Sequence, residues 1–100
     1  LIERARTAAA CGRRIIRELP LMTATPEAPF EEMRIDLLIE EPGGWVLIDY
    51  KTDDPGDGEE EIARRYAGQV KRYREALRSL GICVKSGFLL LARTGKAIEM

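Results

Sequence analysis

Two β-rich segments joined by a tight turn constrain the fold of this chain more than any other feature of its sequence. Residues 33–39 and 45–50 are dominated by aliphatic and aromatic side chains, and Glu41-Pro42-Gly43-Gly44 between them is a strong turn signal. We therefore predict a hairpin. If its loop is centred between Pro42 and Gly43, residues whose numbers sum to 85 face each other across the two strands.

This register brings three ionisable side chains onto one patch of the sheet. Asp36 and Asp49 lie directly opposite each other, and Lys51 follows on the same face because side chains alternate along a strand. Two facing carboxylates need a cation to remain ionised together. Lys51 supplies one charge, whereas a divalent metal supplies two and prefers oxygen ligands, among which the carbonyl of Tyr50 is a further candidate.

The residues alone leave two interpretations of this patch. Carboxylates that hold Mg²⁺ or Mn²⁺ beside a lysine can hydrolyse a phosphodiester, since the metal activates a water and the lysine orients it, deprotonates it or stabilises the transition state. Alternatively, the hairpin is a surface feature with an ion pair between Asp49 and Lys51 and a solvated Asp36.

The clearest element elsewhere is an amphipathic helix over residues 59–80. Three glutamates suit its N-terminus, Arg78 suits its C-terminus, and Gly81 follows as a stop. Its apolar positions recur at spacings of three and four residues, at Ile62, Tyr66, Val70, Tyr73, Leu77 and Leu80.

The remaining segments complete a mixed α/β chain. The order α-β-β-β-α-β-β predicts a central sheet with helices packed on it. Pro20 limits the first strand to an edge or an end of that sheet. The other expected segments are a helix that ends near Gly12, a first strand at 14–19, loops at 23–32 and 52–57, and last strands at 84–93 and 97–100.

The composition restricts the class of protein. With 100 residues, 45% of them apolar and 33% charged, the chain has the size of a single small domain and is neither collagen-like nor of low complexity. No apolar run approaches the ~18–20 residues of a membrane span. Because the chain begins at Leu1 rather than at a methionine, we expect residues 1–100 to be one domain cut from a larger protein.

The chain contains no histidine, which excludes Ser-His-Asp, Cys-His and histidine-ligated metal chemistry within it. Cys11 and Cys83 lie far apart, without the spacing of a zinc site or a disulfide framework. We expect both to be buried or half-buried reduced thiols of a cytosolic protein.

The charged residues are segregated although the net charge is only −1. Residues 40–61 carry nine acids and Lys51 as the single base, whereas residues 62–78 carry six bases and Glu75 as the single acid. An acidic pocket beside a basic helix suits a cation-bound site that acts on a polyanion. An ordinary solvated face is the alternative.

Three short motifs resemble those of one nuclease family. They are Met33-Arg34-Ile35-Asp36, then Asp49-Tyr50-Lys51-Thr52, then Gln69-Val70-Lys71-Arg72-Tyr73. Together they are similar to the GxxD, DYKT and Q-x-x-x-Y motifs of the RecB-type branch of the PD-(D/E)xK nuclease superfamily, in particular to the C-terminal nuclease domain of AddA- or RecB-like helicase–nucleases. The resemblance covers residues 16–91 and implies a restriction-endonuclease-like core, in which helices flank a central mixed sheet.

The resemblance implies a role for each matching residue. By position, Asp36 and Asp49 are the metal-binding acids, Lys51 is the catalytic lysine, and the cofactor is Mg²⁺ or Mn²⁺. Gln69 and Tyr73 share a helix face and resemble the pair that lies near the metal and the DNA path. Tyr73 is equally consistent with a plain core position on that helix.

Three further residues are candidates for lesser roles. Arg65 and Arg72 belong to the basic helix and suit phosphate contacts, which position DNA without reading its sequence. Glu18 resembles an acidic residue on the preceding strand of the family, and a structural ion pair is the alternative.

The function that the resemblance implies is that of an exodeoxyribonuclease module in DNA double-strand-break repair and recombination. Its partners are DNA as a single strand or duplex end, a helicase domain of the parent chain and a further helicase–nuclease polypeptide, in the bacterial cytoplasm and without a membrane. Two departures are Met33 at the usual glycine position and the missing upstream histidine ligand. They leave open a catalytically incomplete DNA-binding or assembly module, or another branch of the superfamily such as a resolvase, transposon or CRISPR-associated nuclease.

Overall fold

The computed structural model describes residues 2–23 and 31–100, which form two α-helices, a 3-10 turn and five strands in the order that the sequence predicts. The elements are α1 (Ile2–Ala10), β1 (Ile15–Thr23), β2 (Glu31–Glu41), β3 (Gly44–Lys51), the 3-10 turn (Pro55–Asp57), α2 (Glu59–Ser79), β4 (Val84–Leu91) and β5 (Lys96–Glu99).

All five strands belong to one sheet, in the order β1-β2-β3-β4-β5. The β3–β4 pair is parallel, and the three other neighbouring pairs are antiparallel. A parallel pair needs a crossover connection, which α2 provides. The result is a mixed α/β architecture that is consistent with a restriction-endonuclease-like fold.

The predicted hairpin register is confirmed. Leu37 pairs with Ile48 and Leu38 with Leu47, so that facing residue numbers sum to 85. Gly44 is required at the end of the turn because its φ is 152° and because a Cβ there would lie 3.0 Å from the carbonyl oxygen of Cys83. That close approach lets β3 begin directly beside β4.

Helix α2 covers one face of the sheet and begins and ends close to its predicted limits. Ile62, Val70 and Leu77 are buried, as their spacing predicts. The prediction for Leu80 is wrong: it caps the helix rather than continuing it, and 61% of its surface is exposed. Gly81, at φ 81°, takes the left-handed conformation that ends the helix.

Two apolar cores lie on opposite faces of the sheet. The larger core joins α2 to the sheet through residues such as Ile35, Leu47 and Leu89. The smaller core lies on the α1 side, where Ala8 packs among side chains of β2 and β3, including Val46 and Ile48. The sheet is therefore buried on both faces at its centre, as the long apolar stretches of β2 and β3 require.

The alternation of side chains changes phase in the middle of β1 and β2. Ile35 and Leu38 both face the α2 side, although they are separated by three positions. The break falls at Asp36 and, on β1, at Glu18, which has a left-handed φ of 51°. The backbone pairing skips both residues. The irregularity therefore lies beside the predicted carboxylate pair.

Several boundaries differ from the sequence-based prediction. Strand β1 is at the sheet edge, as Pro20 indicates, but it continues to Thr23. Residues 24–30 of the predicted loop lie outside the described residues, and β2 already begins at Glu31. Strand β4 ends at Leu91 because the N–H groups of Thr94 and Gly95 donate to its carbonyl and turn the chain early.

The expected burial of the two cysteines is wrong. Cys11 follows the end of α1 and Cys83 precedes β4, and both are free and exposed because each lies in a connection rather than in a core strand. Among the described residues, neither helix combines the length and apolar character that crossing a membrane requires.

Candidate active site

Asp36 and Asp49 lie side by side where the β2–β3 ladder stops. The last backbone pair joins Leu37 to Ile48. Beyond it, Oδ2 of Asp36 accepts a 2.8 Å hydrogen bond from the backbone N–H of Tyr50. A carboxylate side chain thus replaces the next backbone partner, and the phase change in β2 allows it to reach across.

The carboxyl group of Asp49 is the only buried charged group among the described residues, with 4% of the residue exposed. Burial raises the pKa of Asp49 from 3.8 to about 6. A hydrogen bond with the Asp36 carboxyl acts in the same direction, and the neighbouring Lys51 opposes both. Burial and the neighbouring Asp36 carboxyl both favour the protonated form of Asp49, whereas a cation at the pair favours the ionised form.

Lys51 is held on three sides beside this pair. Its Nζ lies 3.0 Å from Oδ2 of Asp49 and donates a 2.7 Å hydrogen bond to Oε1 of Gln69. The same ammonium lies 4.1 Å from the centroid of the Tyr66 ring, well within the range of a cation–π interaction. Only 15% of the Lys51 side chain is exposed, so its position is set by these neighbours.

A second set of contacts fixes Tyr66 at its hydroxyl end. Its hydroxyl donates a 2.7 Å hydrogen bond to Oδ1 of Asp53, while Arg65 pairs with Oδ2 of the same carboxylate. The hydrogen bond from Tyr66 lowers the pKa of Asp53, and it raises the pKa of the Tyr66 hydroxyl. Arg65 also reaches to 3.7 Å from Asp57, which ties the segment after β3 to α2.

Asp36, Asp49 and Lys51 open onto one cleft of about 330 Å³ between the β2–β3 hairpin and α2. The structure brings most of the sequence-predicted site residues to its wall. The lining residues are Met33, Arg34, Asp36, Asp49, Tyr50, Lys51, Gln69, Arg72 and Tyr73. Gln69 lies beside the apolar stripe of α2, where its side-chain oxygen accepts the hydrogen bond from Lys51. Tyr73 is both a core residue and part of the wall.

Two predicted residues lie elsewhere. Arg65 does not line the cleft, because Asp53 and Asp57 hold its guanidinium beyond Tyr66. Glu18 lies on the edge strand between the β1–β2 pairs that flank Asp36, and its side chain is exposed outside the cleft wall. Their site roles stay predictions.

The donor atoms fit a hard divalent cation in part. Oδ2 of Asp49 is buried and accepts no hydrogen bond of good geometry, and its polar neighbour is the Lys51 ammonium at 3.0 Å. Mg²⁺ is commonly held by one or two carboxylates, with waters and substrate phosphates completing the shell. The described residues contain no cluster of three or more Asp, Glu, Cys or His side chains. Further ligands must therefore be backbone, water or substrate oxygens.

The backbone supplies one such oxygen. The carbonyl of Lys51 points toward β4, where it accepts from the N–H of Ala92. Successive carbonyls of a strand point to opposite sides, and the Tyr50 N–H already points toward Asp36. The Tyr50 carbonyl therefore faces β2 beyond the last ladder pair, on the side of the two carboxylates.

Sequence reasoning misses three residues of this region. It assigns Tyr66 only to the apolar stripe, and it gives no role to Asp53 or Arg34. The signals are present: Asp53 continues the alternation of Asp49 and Lys51, and Tyr66 precedes Gln69 by about one helical turn. What the sequence lacks is the distance between β3 and α2, which decides whether those side chains meet.

The chain is similar to bacterial proteins that carry the name ATP-dependent helicase/nuclease. It is 37% identical to that of Pelotomaculum thermopropionicum over 88% of the chain, and 33% identical to that of Heliobacterium modesticaldum over 89%. A shorter match of 53% identity covers 66% of the chain in the protein of Lachnoclostridium phytofermentans. The chain spans only 5 to 8% of the length of these relatives. No protein-family profile matches it.

Proposed function

We propose that the chain is the metal-dependent nuclease module of an ATP-dependent helicase/nuclease, and that it hydrolyses phosphodiester bonds of DNA. The observation that carries the proposal is the convergence of Asp36, Asp49 and Lys51 in one cleft, with a buried carboxylate oxygen that accepts no hydrogen bond. The names of the relatives support the same activity.

Each residue has a distinct task in this proposal. Asp36, Asp49 and the Tyr50 carbonyl hold Mg²⁺ or Mn²⁺. When bound, the metal supplies Lewis-acid activation of a water and neutralises charge on the phosphate. Lys51 is held by Gln69 within reach of the same site, where its ammonium orients the attacking water or stabilises the developing negative charge.

The cleft wall also suits the substrate. Arg34 and Arg72 line the same cleft as the two carboxylates. Guanidinium groups in the wall favour a polyanion, and phosphate contacts of this kind position a strand without reading its sequence. We infer that the substrate is a DNA strand delivered by the helicase part of the parent protein, in repair and recombination of double-strand breaks.

A second candidate is a DNA-binding module that keeps the fold without the chemistry. It is favoured by the small ligand set, since the described residues offer no cluster of three acidic, cysteine or histidine side chains. Both candidates predict DNA binding, and only the first predicts cleavage.

Cleavage of end-labelled single-stranded DNA by the 100-residue chain decides between them. We expect cleavage with Mg²⁺ or Mn²⁺, none with EDTA, and loss of on the order of 10²-fold or more in Lys51→Ala. Lys71→Ala is the matched control, because Lys71 is an exposed lysine outside the cleft wall. DNA binding without metal-dependent cleavage would reject the nuclease and leave the binding module.

A further inference from the structure

Tyr66 contacts two residues at the end of β3. Lys51 lies under its ring and Asp53 lies at its hydroxyl, and the two residues are two positions apart in the chain. We propose that Tyr66, oriented by Asp53, is the positioning residue that holds the Lys51 ammonium at the carboxylate pair. This inference rests on the proposed function, because it assigns a role to Tyr66 through the lysine of that site.

The first step concerns the conformational freedom that the Lys51 side chain would have without the Tyr66 ring. A lysine side chain has a flexible four-carbon stem, and its ammonium is strongly hydrated. Gln69 accepts one of its three N–H groups, and Oδ2 of Asp49 lies 3.0 Å away without a hydrogen bond of good geometry. One hydrogen bond does not fix the stem. The Tyr66 face closes the remaining side, and its quadrupole attracts the ammonium.

The second step is the control of the ring itself. The phenol donates a hydrogen bond to Asp53, which enriches the ring in electrons and strengthens its attraction for a cation. Arg65 holds the other carboxylate oxygen, so the acceptor cannot swing away. The chain of contacts therefore runs from Arg65 through Asp53 and Tyr66 to Lys51.

The third step separates this role from simple packing. Tyr66 is partly buried at the margin of the larger core, where a leucine would also fill the apolar stripe of α2. A leucine has neither a π face for Lys51 nor a hydroxyl for Asp53. A phenylalanine keeps the face and loses only the hydroxyl. The pair Tyr66→Leu and Tyr66→Phe thus tests the ring, and Asp53→Asn tests its orientation.

The experiment measures the lysine directly and without metal. The 100-residue chain labelled with ¹³Cε-lysine gives signals for four lysines, and Lys51→Arg identifies the one of interest. Ring-current shielding should place the ε-methylene protons of Lys51 upfield of those of Lys71, Lys85 and Lys96. We expect that shift to disappear in Tyr66→Leu and to shrink in both Tyr66→Phe and Asp53→Asn, because each weakens or removes the hydrogen bond that orients the ring.

Steady-state cleavage of single-stranded DNA supplies the functional arm. We expect kcat to fall about 10-fold in Tyr66→Leu with KM unchanged, and about threefold in Tyr66→Phe, which keeps the ring face and loses its hydrogen bond to Asp53. A purely structural role would instead lower thermal stability in Tyr66→Leu and leave kcat of the folded fraction unchanged. If Tyr66→Leu does not fold, Asp53→Asn carries the test, with an intermediate loss of both shift and kcat.

The outcomes separate the two ideas. A wild-type Lys51 signal that coincides with the other lysines would overturn the positioning role, whatever the activity. An upfield signal in a chain that cleaves no DNA would reject the nuclease and leave the geometry intact. Equal kcat in folded Tyr66→Leu and wild type would remove Tyr66 from the site.

Discussion

Asp36 accepts the backbone N–H of Tyr50 at 2.8 Å, so one carboxylate both completes the hairpin and lines the cleft. The same side chain lies beside the buried carboxyl group of Asp49, and its negative charge disfavours the ionised form of Asp49. Stability and the proposed activity are therefore coupled at Asp36, and substitutions there separate the two effects.

We expect Asp36→Ala to be less stable than Asp36→Asn by about 1 kcal/mol, because only asparagine keeps an acceptor for the Tyr50 N–H. Both variants remove the charge that faces Asp49, so their difference isolates the hydrogen bond. Urea unfolding of the metal-free chain measures it. Equal midpoints and slopes for the two variants would show that water serves the N–H equally well.

The raised pKa of Asp49 makes stability depend on pH in a defined direction. Between its ordinary value of 3.8 and about 6, the folded chain binds more protons at this residue than the unfolded chain does. The favourable contribution is complete below the lower value and is lost as the pH rises through the upper one. We therefore expect metal-free Asp49→Asn to gain stability relative to the wild type as the pH increases from about 4 to about 7.

Thermal unfolding across that pH range checks the Asp49 prediction. A difference of about 1 kcal/mol corresponds to a shift of about 4–8 °C in the melting temperature of a domain of this size. Glu75→Gln is the control, since Glu75 is an exposed acid of α2, and its difference from the wild type should stay flat. A flat profile for Asp49→Asn as well would mean that Asp49 titrates normally.

A divalent metal should make the wild type more stable than Asp49→Asn at neutral pH, which is the reverse of the order expected without metal. If Mg²⁺ binds the folded wild type alone, a concentration of about 100 times its Kd stabilises the chain by about 2.7 kcal/mol. We expect the melting temperature of the wild type to rise with Mg²⁺ or Mn²⁺ at a pH of about 7.5, and that of Asp49→Asn to stay constant. A matching rise in both proteins would place the metal somewhere other than the carboxylate pair.

Arg34 is expected to contact a phosphate, since it is exposed on β2 and lines the cleft beside Asp36. The logarithm of the DNA association constant falls linearly with the logarithm of the salt concentration. In Arg34→Ala the magnitude of this slope should decrease by about one unit, without a change in sequence preference. Fluorescence anisotropy with labelled single strands at several KCl concentrations measures the slope. Arg78→Ala is the control, because Arg78 lies at the far end of α2, outside this cleft. Identical slopes in the two variants would argue against phosphate contact at Arg34.

Local sequence signals predict the features of the fold that are set by residues close together in the chain. Pro42 and Gly43 set the register that pairs Leu37 with Ile48, directly next to Asp36 and Asp49. The period of Ile62, Val70 and Leu77 sets the buried face of α2. Both are matters of spacing along the chain, which the sequence records directly.

Other features depend on how separate elements meet. The left-handed φ of Glu18 and the phase change at Asp36 arise from pairing between β1 and β2, and no residue type marks them. The contact of Tyr66 with Lys51 requires α2 to cross over β3 at a particular height. Tertiary packing decides these features. The exposure of Leu80 has a local cause instead, because Leu80 caps α2 directly before Gly81, whose left-handed conformation ends the helix.

The shortness of the β2–β3 turn has a consequence for folding. Closing a two-residue loop is fast and entropically cheap, so this hairpin can form before α2 docks. At neutral pH the nascent hairpin must bring two carboxylates together without the buried environment in which Gln69 holds the lysine. Mild acid or a divalent cation should therefore accelerate folding of the hairpin, because each reduces the repulsion between the two carboxylates.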